Sequence, residues 1–387
     1  MINGRTDGVI GTAPHGDGVY QGEHAAEGIL SDRRGYGPGW VTWRDGIVTG
    51  MGRGWCPEEP DARGLILADT VDMHTHCADY GLSVPPGMSL TDLVAPPDGL
   101  KHRYLREAPP SVIEGSMVRF GSDSRASGSA AFVDFREGGL EGCRMLRRSV
   151  PEAVVLGRPV SPEFDPEEVA AILEVADGVG LPSASDMDWG YIEAVADAVR
   201  DARGIFAMHA SERIREDIDF VLSLDPAFVV HMCEADDDDL AKCAEAEVPV
   251  VACPTSNAYF GKACPAARVM SNGADLALGT DNGMLCGPDM LDEAAVLESV
   301  LGGGPEAAEA SVRALARASG KILNAVDFNK HRVPPGPVTV LPSLRDDGDP
   351  LRRRGDRIVL RRKEERRHGI QEHPGSHRRE RIHQGRR

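Results

Sequence analysis

From about residue 65 onward the chain alternates short apolar, β-branched runs with longer stretches whose apolar residues recur three and four positions apart. The runs are LADTVDMH (67–74), AAFVDF (130–135), AVVLG (153–157), DGVGLP (177–182), GIFAMH (204–209), AFVVH (227–231), VPVVAC (248–253) and ADLALG (274–279). Between them, segments such as DPEEVAAILEVA (165–176) and YIEAVADAVRDA (191–202) are rich in Ala, Glu and Leu or Val and read as amphipathic helices. Strand runs separated by helices predict a parallel sheet. An open doubly wound sheet has the same alternation, but eight runs is the number that closes a barrel. The pattern thus predicts an α/β protein built on a (β/α)8 TIM barrel over residues 65–330. Helices at EAAVLESVL (293–301) and EAAEASVRALARASGKIL (306–323) would complete its outer ring.

The flanks follow another pattern. GWVTWRDGIVTGMG (39–52) places alternating β-formers on both sides of Asp45-Gly46, a strong hairpin signal. Residues 1–64 therefore read as the N-terminal part of a small β-domain, although 1–36 has little periodicity of its own. PPGPVTVLPSL (334–344) and DRIVLRR (356–362) look like strands returning to it, which assigns it residues 331–362 as well. The remaining 363–387 has no apolar face and reads as a basic, disordered tail. Within the barrel, the interval from His76 to Ala130 is much longer than the others. It contains DLVAPPDGLKHRYLRE (92–107), broken by prolines and glycines into loop and short helix, on the face where a long insertion commonly lids a pocket.

Charge and composition narrow the partners. The formal net charge is −18, yet residues 350–387 hold 14 Lys/Arg against 5 Asp/Glu, so the body is more acidic than the total. Such a surface repels nucleic acid and anionic membranes, and neither is expected as a partner. It also suits a salt-rich cytoplasm, where screening softens self-repulsion. No apolar run approaches the roughly 18 residues that span a bilayer. The N-terminus has no signal-peptide core. Eight dispersed cysteines with no CxxC pair suit a reducing compartment. These features together predict a cytoplasmic protein acting on a small molecule; a homo-oligomer is compatible with them.

Four histidines fall at or just beyond the ends of predicted strands, where a barrel gathers its catalytic groups. His74 and His76 close the first strand, His209 the fifth and His231 the sixth; Asp281 follows the eighth in LALGTDNG. Residues i and i+2 of a strand share a face, so both imidazoles of the HxH pair can converge on one ion. The pair alone carries little weight, and each member has an ordinary alternative. Asp281-Asn282-Gly283 is a good turn, and Glu212 would suit a helix start. Together, imidazoles plus one carboxylate make a normal ligand set for one divalent ion, Zn2+ or Fe2+, with a position left open for water.

The ordered set His74-x-His76, His209-x-x-Glu212, His231, Ser256-Asn257 and Gly279-Thr280-Asp281 resembles the metal-dependent amidohydrolase superfamily, most closely its cytosine deaminase and chlorohydrolase branch. The likeness spans roughly residues 39–345. It implies a flanking β-sandwich built from both chain ends, and a metal held by His74, His76, His209 and Asp281. It further implies that His231 orients the attacking water, that Asp281 helps deprotonate it, and that Glu212 shuttles a proton to a substrate ring nitrogen. Binuclear relatives use a bridging lysine from strand three or four. The only lysine between His76 and His209 is Lys101, in the loop after strand one, so a single metal is expected. Departures are Val71-Asp72-Met73, where relatives often have a Pro-Gly turn, and short C-terminal strands; both bear on the sandwich more than on the site.

Further candidates for substrate contact are Asp79 and His102 in the first loop, Arg136 and Glu137 after strand two, Arg158 after strand three, and Asn257. The expected activity is hydrolytic deamination of an N-heterocycle, a pyrimidine- or purine-like ring. The alternatives are hydrolysis of a cyclic amide or of a ring halide by the same machinery and, from another class, a non-catalytic scaffold acting through the basic tail.

Overall fold

The computed structural model describes residues 23–32, 34–94, 98–315, 322, 336–342, 351, 354 and 356–362. The expected tail, 363–387, lies outside the described residues. Four strands come first: β1 (Glu23–Asp32), β2 (Gly35–Arg44), β3 (Ile47–Arg53) and β4 (Ala62–Ala68). The β2–β3 hairpin turns at Asp45 and Gly46, both at positive φ (52° and 73°), as a tight two-residue loop requires. The next nine strands are β5 (Val71–His76), β6 (Ala131–Arg136), β7 (Val154–Gly157), β8 (Gly178–Leu181), β9 (Ile205–Ala210), β10 (Phe228–His231), β11 (Val250–Ala252), β12 (Leu276–Leu278) and β13 (Asp281–Asn282). Two more, β14 (Val338–Pro342) and β15 (Ile358–Leu360), lie near the C-terminus.

These strands form two sheets. One is six-stranded, in the order β15-β14-β4-β1-β2-β3, so both chain ends contribute to it. Its apolar side buries Ala26, Leu30, Val41, Trp43, Ile66, Val338 and Val340. Among the described residues these strands make one sheet, not the pair of facing sheets expected of a sandwich.

The other is a nine-strand parallel sheet, in the order β12-β11-β10-β9-β8-β7-β6-β5-β13. It curls. Its two end segments, β12 and β13, are separated along the chain only by Gly279-Thr280, while β12 pairs with β11 and β13 pairs with β5. Gly279 is required where the chain crosses onto β5: a Cβ there would lie 2.8 Å from the His74 backbone nitrogen.

Period-two alternation divides the side chains of this sheet. Val71, Met73, Val133, Phe135, Val154, Leu156, Ala207, Val230 and Val251 form one inner cluster. Their neighbours Phe132, Val155, Val179, Met208 and Val229 join the larger cluster beneath the helices. The helices include Pro166–Val175, Trp189–Asp201 and Met290–Val300, close to the expected ranges. No helix among the described residues is long and apolar enough to cross a membrane.

Two local readings change. The run 67–74 is divided: Leu67 and Ala68 end β4 in the six-stranded sheet, Asp69 turns at φ 62°, and β5 starts at Val71 in the curled one. The long interval after β5 holds short helices at Leu90–Val94 and Leu100–Glu107, then an 18-residue helix, Pro110–Ser127. Only Ile113, Met117, Phe120 and small residues of that last helix are buried.

Candidate metal centre

Regular alternation would point the wrong residues at the centre of the curled sheet. Val71 and Met73 face inward, so an undisturbed β5 would send His74 and His76 outward. A register break between Asp72 and Thr75 reverses this. β9 needs no such device, because Ile205 and Ala207 face inward and His209 continues the series. On β10, Phe228 and Val230 face inward, and His231 joins them only through φ 76°. Asp281 also sits at positive φ, 62°. Non-glycine residues in this region cost of order 1–3 kcal/mol each and persist where the surroundings impose them.

The outcome is a dense knot of rings. The His74 ring centroid lies 5.0 Å from that of His76, 4.8 Å from His209 and 5.8 Å from His231. Ligand atoms of His74, His76 and His209 all fall within 4.8 Å of one another, and so do those of His74, His231 and Asp281. The Asp281 Oδ1 is 3.3 Å from His74 Nε2 and 3.6 Å from His76 Nε2. The two groups share His74, and Asp281 also approaches His76.

The unpaired atoms of this knot test whether a cation fits. His74 is fully buried, yet neither of its ring nitrogens has a hydrogen-bond partner, an expensive state unless something else takes the lone pair. His76 Nδ1 lies 3.0 Å from Glu137 Oε1, which leaves Nε2 toward Asp281. His209 Nδ1 lies 2.9 Å from the Leu181 carbonyl, leaving its Nε2 as the ligand nitrogen. A carboxylate or carbonyl on the far nitrogen is the usual way a ligating imidazole is oriented. Burial pushes the His74 imidazole down to about 3 and His209 well below the usual range, so both are neutral lone-pair donors. Burial alone would push Asp281 up, but the adjacent His74, His231 and His76 hold it well below the usual carboxylate range. The donor set fits one divalent cation.

Around this knot, Ser256 Oγ donates a short hydrogen bond to Asp281 Oδ2, 2.5 Å. Asn257 Nδ2 lies 3.5 Å from His231 Nδ1, at the limit of contact. Glu212 is half-buried, with Oε1 3.8 Å from His231 Nε2. Asp72, in the triplet that departs from the usual Pro-Gly, accepts from Thr280 N–H (3.0 Å), Thr280 Oγ1 (2.5 Å) and His74 N–H (3.3 Å). It pins the eighth-strand crossing to β5. Burial raises its carboxyl to about 7 against those three donors.

The remaining candidates take different places. Arg136 is buried and turned to the Gly142 carbonyl (3.3 Å) and Glu137 (3.3 Å). Asp79 is fully buried and accepts from the Met284 N–H at 2.9 Å. His102 Nε2 is 3.0 Å from the Val94 carbonyl. Arg158 follows β7, half-buried. Sequence reasoning gave Lys101 no role at the site, yet its Nζ reaches Glu137 Oε1 at 2.9 Å, Asn282 Oδ1 at 3.1 Å and Asp79 Oδ2 at 3.5 Å. It is 3% exposed, so this lysine is part of the site wall. The one signal available was that no other lysine occurs between His76 and His209.

A curled parallel sheet with a His/Asp cluster at its strand ends defines an α/β fold with a candidate metal-ligand set, and similar proteins share the fold. No family model matches the chain. An uncharacterized protein of Methanocaldococcus jannaschii is 30% identical over 256 residues, covering 60% of this chain and 67% of that protein. Two archaeal proteins bear the name "Putative aminohydrolase". That of Methanothermobacter thermautotrophicus is 32% identical over 278 residues (64% of this chain, 72% of that one), and that of Archaeoglobus fulgidus is 36% identical over 221 (57% and 64%). The fold is shared with solved structures at low identity. An amidohydrolase from Brucella melitensis has a TM-score of 0.63 at 13% identity, covering 87% of this chain and 92% of that one. A zinc-complexed atrazine chlorohydrolase from Arthrobacter aurescens has 0.62 at 13% (84% and 90%), and an aminofutalosine deaminase from Helicobacter pylori 0.60 at 13% (87% and 100%). The chain belongs to the family of these archaeal proteins, and it shares its fold with the solved amidohydrolases.

Proposed function

We propose that the protein is a metal-dependent hydrolase that replaces a ring amino group of an N-heterocycle by oxygen, releasing ammonia. In this reading the curled sheet is the (β/α)8 barrel, and His74, His76, His209 and Asp281 hold one divalent cation, Zn2+ or Fe2+. The observation that carries it is the meeting of two ligand-atom groups, His74 with His76 and His209 and His74 with His231 and Asp281, at a buried His74 whose ring nitrogens have no hydrogen-bond partner. The relatives' aminohydrolase names and the deaminase and chlorohydrolase neighbours support it.

A bound divalent cation supplies Lewis acidity, which lowers the pKa of water from 15.7 to about 7. The protein's own groups do the rest. Asp281, ionised and held by Ser256, accepts a proton from the attacking water on a carboxylate oxygen. His231, re-aimed by its positive φ, orients that water through a ring nitrogen. Glu212, beside His231, delivers a proton to the ring nitrogen as the C–O bond forms. It then takes the proton of the new C–OH group, which becomes C=O, and passes it to the departing amine as the C–N bond breaks, and the proton held by Asp281 returns to Glu212 for the next cycle. Water and the ring C–NH2 thus become ring C=O and NH3. Glu137 and the Leu181 carbonyl keep His76 and His209 in their tautomers.

The test is metal analysis of the purified protein, followed by an ammonia-release screen over pyrimidines, purines and related amino-heterocycles. One equivalent of metal and ammonia from at least one ring is expected. A stoichiometrically loaded protein that releases a ring-opened acid or a halide, and never ammonia, would move the assignment to cyclic amide or halide hydrolysis. Absence of metal binding would end the hydrolase reading.

A further inference from the structure

The mouth of the curled sheet carries a cation that pairs directly with none of the described groups. Val154 and Leu156 of β7 face the inner cluster, so the alternation directs Arg158 to the same side, just beyond the strand. The ladder still holds there: the Arg158 N–H donates to the Arg136 carbonyl at 2.9 Å. Its side chain is enclosed enough that burial pushes the guanidinium below its ordinary value, but it has no hydrogen bond or ion pair among the described residues. The two carboxylates that act on it through space are engaged elsewhere. Glu137 is shared by Lys101 (2.9 Å), His76 (3.0 Å) and Arg136 (3.3 Å). Asp186 is bound by Arg213 at 2.6 Å.

The nearby negative charge is taken up by other cations. Glu137 and Asp79 contact Lys101, with Asp281 acting on it at longer range, and Glu137 contacts Arg136, whereas no carboxylate contacts Arg158 among the described residues. A protein this acidic repels anions over most of its surface, and an enclosed arginine without a counter-ion is costly unless a ligand supplies the charge. Five donors in a rigid fork make it suited to a planar carboxylate or a phosphate.

We infer that Arg158 binds an acidic group of the substrate, a carboxylate or a phosphate, so that the preferred substrate is an amino-heterocycle carrying an anionic substituent. This rests on the hydrolase reading for what happens at the ring, but not for the anion contact itself. The substituent docks on the strand-two and strand-three side of the mouth while the ring lies over the His/Asp cluster. Arg158 thereby sets which ring is held, without taking part in the proton transfers.

The experiment uses the metal-loaded full chain and sets of one heterocycle bearing a neutral, a carboxylate or a phosphate substituent. Ammonia release should favour one anionic member, and the two anionic arms distinguish the sources. In Arg158→Gln the KM for that member should rise by about 10- to 100-fold with kcat little changed, as loss of a charge-assisted pair implies. The neutral member should be unaffected, and Arg158→Lys should recover part of the loss. Equal rates for neutral and anionic members, or an equal loss on both in Arg158→Gln, would overturn the proposal. If no ring releases ammonia, binding decides it: thermal shifts with inorganic phosphate and with benzoate should raise the midpoint of the wild type but not of Arg158→Gln. Failure of both probes would reject the anion site, whereas protection without turnover would reject only the deaminase assignment.

Discussion

Replacing Lys101 by Met removes the cation that ties the insertion after β5 to the wall of the metal centre. Its Nζ has three partners, Glu137 (2.9 Å), Asn282 (3.1 Å) and Asp79 (3.5 Å), and methionine offers none of them a donor. Removing one partner of a buried ion pair costs about 3–5 kcal/mol, because the other is left charged and unsolvated. The two carboxylates will not share that cost equally. Burial already holds Asp79 up at about 6, so near pH 7 it can escape by taking up a proton, at about 1.4 kcal/mol per pKa unit. Glu137 cannot. Burial would raise it, but besides Lys101 the neighbouring His76 and Arg136 keep it well below the usual range, and it stays ionised.

The expected loss is therefore about 3 kcal/mol, most of it through Glu137, which is a large share of a typical 5–15 kcal/mol stability. Urea unfolding of the metal-free protein at pH 7 measures it. A cycle with Asp79→Asn should return a coupling of about 0.5–3 kcal/mol between the two positions. Because Glu137 orients His76, metal affinity measured against a competing chelator should also fall, by about 10- to 100-fold. A Lys101→Met protein that unfolds within about 0.5 kcal/mol of wild type, the range of an ordinary surface substitution, and binds metal equally well would refute the reasoning.

Three further outcomes are expected. His209→Ala should lose the metal: the stabilisation of about 2.7 kcal/mol that a ligand confers at 100 times its Kd should be present for wild type and absent for the variant in a thermal scan with Zn2+. Glu212→Gln should keep its metal but lose about 10²- to 10⁴-fold in turnover; full activity in a steady-state ammonia assay would remove the proton-shuttle role. Asp72 titrates near 3.8 when unfolded and about 7 when folded, so between those values the folded state holds the extra proton and stability falls as pH rises. Relative to Asp72→Asn, the metal-free wild type should thus weaken from pH 4 to 7, by an amount on the order of 4 kcal/mol at most. A difference independent of pH in denaturant melts would contradict this.

Much of the architecture is legible in the chain, and the reasons are local. Eight apolar runs separated by amphipathic helices required a parallel sheet, and each contributes a strand to the curled sheet, the first being split between the two sheets. Asp45-Gly46 required a hairpin, because few dipeptides tolerate two positive φ values in succession. The helix Pro110–Ser127 was harder to see. Its exposed Val112 and Val118 and its buried serines and glycine blur the apolar stripe on which periodicity depends.

By itself the sequence determined which histidines and which aspartate stand at strand ends, because residue type and period are properties of the chain. Where those side chains point was decided only by the tertiary structure. A register break turns His74 and His76 inward against the alternation set by Val71 and Met73, and a left-handed backbone does the same for His231. Both are irregularities that sheet neighbours impose and that no pattern along the chain encodes. Lys101 is the plainest case: its three partners come from the residue after β6, from β13 and from the turn after β5, and only folding brings those segments within reach of one ammonium.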